Sequence, residues 1–156
     1  MQAELVRALP VLIILMPFLL SAKERQATIE DTGSTNRPGL RVTFDETGRT
    51  TVESRSADTR QINLEKTLCK EFIRNLEAVG PLIDIPVVHC PKSVSFGSSL
   101  FIEYKGSRSP DISCPSHDLR IGEISKHANQ ILQAAREATG IPSRTARPHP
   151  LPSPAQ

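Results

Sequence analysis

The chain has no tryptophan and only one tyrosine and five phenylalanines in 156 residues, so any core it builds is aliphatic with a few phenylalanine rings. The same scarcity removes the stacking aromatics that hold single-stranded nucleic acid. The basic stripe that would accompany them is missing as well: lysines and arginines are interleaved with acids, and the formal net charge is +2. No nucleic-acid partner is expected. The chain carries no glycine-rich phosphate loop, haem-attachment pattern or calcium loop, and no cofactor is expected. A bilayer-length apolar run is also missing. The longest uncharged stretch, residues 8–22, has fifteen residues against the roughly 20 of a spanning helix, and Pro10 and Pro17 interrupt it.

What that stretch has instead is the layout of a secretory signal. Arg7 precedes the apolar residues 8–20, Ser21-Ala22 give a small-residue exit, and Lys23-Glu24-Arg25 follow. Residues 1–22 are therefore expected to be a signal peptide, and the rest a secreted or periplasmic protein. The alternative is an uncleaved N-terminal anchor, with the protein facing outside the cytoplasm, because Leu20 is bulky for its place before the cut and Glu4 dilutes the basic head. Beyond that possible anchor no membrane contact is expected. The residue directly after Ala22 is Lys23 rather than cysteine, which removes the lipid attachment point of a lipoprotein.

Residues 23–39 have two apolar side chains, Ala27 and Ile29, and read as a flexible linker. Residues 141–156 contain five prolines and read as a disordered tail. Between them, residues 40–140 are expected to form a single domain.

Within that span Leu40, Val42 and Phe44 alternate with polar residues, and a turn over residues 45–48 leads to the β-branched run 49–54, which predicts a hairpin. Leu64, Leu68, Phe72, Leu76 and Val79 recur at helical spacing, with Asp58 or Asn63 as cap, Gly80-Pro81 as terminator and Cys69 at the edge of the stripe. A second hairpin is expected to turn at Gly97-Ser98-Ser99, with Val94 and Phe96 before it and Leu100, Ile102 and Tyr104 after it. Phe101 points the other way, which suggests cover on both faces. The last helix has the stripe Ile121, Ile124, Ala128, Ile131, Leu132, Ala135 and Ala138, with Arg136 facing out, Ser116 or Asp118 as cap and Gly140 as terminator. The expected fold class is α+β: an antiparallel sheet of about four strands in two hairpins, two helices packed on one face, order ββαββα.

Three cysteines leave at least one unpaired within the chain. Cys90 and Cys114 flank the second hairpin, and folding back of residues 107–111 would bring them together as a disulfide. Pairing through Cys69 is the alternative. So is a zinc site on His89, Cys90, Cys114 and His117, although adjacent His89 and Cys90 in an extended segment point to opposite faces. A hydrolase would draw on Ser98 or Ser99, His117 or His127, and Asp111 or Asp118. The serines do not lie in a G-x-S-x-G elbow, and no catalytic residue is assigned.

The segment from Cys90 to Leu100 followed by Ser109-Pro110-Asp111-Ile112-Ser113-Cys114-Pro115 resembles small exported bacterial proteins of unassigned function, in which two cysteines bracket a hairpin ahead of a terminal helix. The resemblance implies that Cys90 and Cys114 act as a pair and Cys69 is incidental. It implies no activity.

The expectation for function is a small exported non-enzymatic binding or interaction module with a protein or envelope partner. Its surface would be the second hairpin and residues 106–115, where Arg108 and Asp111 are the polar candidates. The alternative is a small exported hydrolase or zinc-binding protein using His89, His117 and nearby serines and cysteines.

Overall fold

The computed structural model describes residues 25–93 and 97–143. The signal segment expected over 1–22 and most of the tail expected over 141–156 lie outside those residues. The elements run β1 (Gln26–Asp31), β2 (Leu40–Asp45), β3 (Arg49–Ser54), β4 (Ala57–Asn63), α1 (Lys66–Val79), a 3-10 turn (Leu82–Asp84), β5 (Leu100–Tyr104), β6 (Ser107–Arg108) and α2 (Leu119–Thr139). The fold is α+β, with one antiparallel sheet of six strands in the order β4-β3-β2-β1-β5-β6 and two helices. Three of the four expected strands are present as β2, β3 and β5, and β1, β4 and β6 are additional.

β1 occupies part of the stretch read as a linker, and it lies inside the sheet between β2 and β5. Ile29 stands opposite Val42 on one side and Ile102 on the other. Ala27 and Ile29 are buried against the helices, and the third inward position is Asp31. With an acid in an apolar slot and only two apolar side chains, the alternation is too short to read. On the outer face Thr28 Oγ1 lies 3.0 Å from Thr43 Oγ1.

β4 is an edge strand whose residues are mostly exposed, so no apolar alternation marks it in the sequence. Asp58 and Asn63 belong to this strand. The N-cap of α1 is instead Glu65, without a side-chain capping bond. The β2–β3 turn depends on Gly48, whose φ is 88°. A Cβ there would lie 2.3 Å from Leu64 O, because Leu64 N–H donates back to Gly48 O at 2.9 Å.

A hairpin that the sequence reading did not name follows β5. β5 turns into β6 through Lys105 and Gly106, with φ of 49° and 75°, the doubly left-handed turn that suits a two-residue hairpin. β1 and β6 take both edges of β5. The strand expected at Val94 and Phe96 lies outside the described residues.

Both helices cover the face that carries Ile29, Leu40, Val42, Phe44, Val52 and Ile102. α1 buries Cys69, Phe72, Ile73 and Leu76, a stripe rotated from the expected one, so Leu68 and Val79 sit at its margin. Phe44 and Phe72 meet with ring centroids 5.6 Å apart. Tyr104 Oη donates to Glu77 Oε1 at 2.9 Å and ties β5 to α1. α2 buries the expected stripe except Ala138, which is exposed, and adds Arg136 and Thr139. Asp118 caps it, accepting from Arg120 N–H at 2.9 Å.

The other face of the sheet is polar. Arg41 bonds Glu103 at 2.8 Å and Glu30 at 3.5 Å, and Arg108 bonds Glu30 at 2.9 Å. Phe101 lies on this face under the Arg108 guanidinium, 4.4 Å from its ring centroid. The second cover expected over Phe101 is therefore a cation rather than another layer.

Candidate functional site

The loops that enter β5 and leave β6 are laced together. Cys90 and Cys114 form a disulfide with Cα atoms 5.7 Å apart. Lys92 Nζ pairs with Asp111 Oδ2 and also donates to Ser99 Oγ at 3.1 Å. Asp111 Oδ1 accepts from the backbone of Leu100 and of Ser113, each at 3.0 Å. Burial opposes the charge on Asp111, but Lys92 and the hydrogen bonds at Ser99 and Ser113 outweigh it and hold the carboxyl well below the usual carboxylate range. Ser109 extends the lacing along β5: its N–H donates to Ile102 O at 2.8 Å and its Oγ accepts from Ile102 N at 2.9 Å.

Next to these loops lies a cleft of about 440 Å³ lined in part by Asp31, Arg37, Lys92, Ser98, Ser113 and Asn129. Asp31 is its most buried charge, and two arginines share it. Arg37 Nη2 is 2.7 Å from Asp31 Oδ2, and Arg136 Nη2 is 3.2 Å from the same oxygen. Asp31 Oδ1 accepts from Gly33 N–H at 2.9 Å. Arg136 also donates to Pro38 O at 2.9 Å and Pro142 O at 3.3 Å, so it clasps β1, the β1–β2 connection and the chain after α2. Burial lowers the Arg136 pKa, Asp31 opposes that shift and Arg37 adds to it. Arg37 Nη2 reaches Ser98 Oγ as well, at 2.7 Å.

The structure separates the two binding candidates. Arg108 lies on the outer sheet face with its guanidinium engaged by Glu30 and Glu103, whereas Asp111 is the clasp between the loops. The expected disulfide partners are joined, and Cys69 is free and buried, its thiol pushed up to about 11 chiefly by burial and then by Asp45 and Glu65. With both sulfurs in a disulfide, Cys90 and Cys114 offer zinc no thiolates. His89 and His117 are exposed. Among the described residues no three His, Cys, Asp or Glu side chains gather as a metal site.

Of the hydrolase candidates, Ser99 and Asp111 lie side by side, both engaged by Lys92, and His117 is exposed. Ser98 pairs with Arg37, Ser99 with Lys92, His127 Nδ1 lies 3.0 Å from Asn75 Nδ2 between the helices, and Asp118 caps α2. Sequence reasoning missed Asp31, Arg37 and Arg136. The available signal was a charged residue at an inward position of each of two elements, Asp31 in β1 and Arg136 in α2.

No known protein family has a model that matches the chain, and no curated protein or solved structure matches it either.

Proposed function

We propose that this chain is a small exported non-enzymatic binding module whose working surface is the pair of laced loops, residues 86–93 with 97–99 and residues 109–118, with the cleft beside them. The observation that carries the reading is the Cys90–Cys114 disulfide combined with the Lys92–Asp111 clasp. A structural disulfide fits an oxidising compartment, in keeping with a signal peptide over residues 1–22. Loops held on a rigid sheet lose little conformational entropy when they bind, which favours recognition. The competing zinc reading needs the thiolates that the disulfide consumes.

The test is to express the chain with its own N-terminus, fractionate the cells and characterise the product. The expected protein begins at Lys23, lies in the exported fraction, contains no zinc and shows one thiol after denaturation. Three thiols with stoichiometric zinc, or a chain that keeps Met1 and stays in the cytoplasm, would overturn the proposal.

A further inference from the structure

We propose that the cleft beside Asp31 holds a compact oxyanion, a carboxylate or phosphate group, on Arg37 and Lys92; this rests on the reading of the laced loops as a binding surface. Three cations, Arg37, Arg136 and Lys92, are grouped with two carboxylates, Asp31 and Asp111. Asp111 answers Lys92, so among the described carboxylates Asp31 answers two guanidinium groups, with only the partial negative charge at the C-terminal end of α2 added beside Arg136. Arg136 is 5% exposed, and its bonds to Pro38 O and Pro142 O satisfy N–H groups without neutralising the charge. Surplus positive charge in a half-buried site is stabilised by an anion that can reach it.

Arg37 and Lys92 are the reachable cations, with side chains 33% and 27% exposed, and both line the cleft. Ser98 and Ser113 line it too, with the Ser113 hydroxyl buried beside Asp111. Guanidinium, ammonium and hydroxyl donors together suit the several acceptor oxygens of a carboxylate or phosphate. A metal cation is disfavoured, because both carboxylates are already engaged.

The experiment titrates the oxidised full chain by calorimetry with sodium phosphate and, separately, with sodium acetate, with chloride holding ionic strength constant. Saturable binding of at least one anion is expected. Arg37→Gln and Lys92→Gln should each weaken it at least about tenfold, the scale of a lost charge-assisted hydrogen bond. Arg37→Lys should retain part of it, and Arg49→Gln, at the far end of the sheet, should leave it unchanged. Saturation by phosphate alone assigns the cleft to phosphorylated ligands, and saturation by both anions extends it to carboxylates. No saturation by either anion overturns the proposal, as does an affinity indifferent to both glutamine variants when their circular dichroism matches the parent. Lys92 lies outside the buried cluster, so its variant decides if Arg37→Gln fails to fold. Failure of anion binding in a chain that is exported with its disulfide intact removes this assignment and leaves the module reading standing.

Discussion

Asp31 shows how much one side chain can hold. Its carboxylate is 4% exposed and joins β1 to α2 and to the turn that Arg37 belongs to. Removing the charge while both guanidinium groups remain leaves Arg136 buried without a counter-ion. Asp31→Asn is therefore expected to cost about 3 kcal/mol in urea unfolding, in the range for breaking a buried ion pair. Asp111 makes a pH prediction. Its folded pKa is depressed, so the stability it contributes is present above the ordinary carboxylate range and is lost as pH falls below that range toward the folded value. Unfolding midpoints measured from neutral pH down to pH 2–3 should fall in the parent and fall less in Asp111→Asn. Cys69 is 0% exposed with its thiol pushed up to about 11, so a thiol reagent at pH 8 should find no reactive cysteine in the native protein and one after denaturation.

At the scale of elements, legibility followed apolar content. α2 presents six inward aliphatic positions in register, and its cap and terminator were readable from Asp118 and Gly140. β2 was readable for the same reason, and β3 from the turn before it and its β-branched residues. β1 was not, because its third inward slot holds Asp31, whose burial is balanced by arginines from distant parts of the chain. Arg136 was misplaced for the reciprocal reason: helical spacing puts it at the margin of the stripe, and only the position of Asp31 turns it inward. β4 was hidden because an edge strand needs little apolar surface. Its Arg60 instead reaches Thr139 O at 2.8 Å, a cation at the C-terminal end of α2. The weight of β1 is measurable. Ile29→Ala should lower stability by about 3 kcal/mol, the usual cost of emptying a core site, while Thr28→Ala on the open face should cost less than about 1 kcal/mol. Gly48→Ala should also be strongly destabilising, since its Cβ would meet the Leu64 carbonyl.

For the molecule as a whole, the disulfide spans a sequence separation of 24. Cys114→Ser should reduce unfolding stability by about 3 kcal/mol, mainly by freeing the unfolded chain, and should raise hydrogen exchange at the Leu100 and Ser113 amides that Asp111 holds. The disulfide was readable from the flanking cysteines, but the cleft beside it was not, since its charges come from β1, the β1–β2 connection and α2. The position of β1 also sets the order in which the chain can fold. β1, the first strand among the described residues, lies inside the sheet, and one of its two neighbours, β5, comes after β4 and α1, with Ala27 opposite Tyr104. A ribosome must therefore deliver most of the domain before β1 gains its second ladder, whereas β1 to β4 can pair as a meander as soon as they emerge. The closing step has high contact order and is expected to be the slow one.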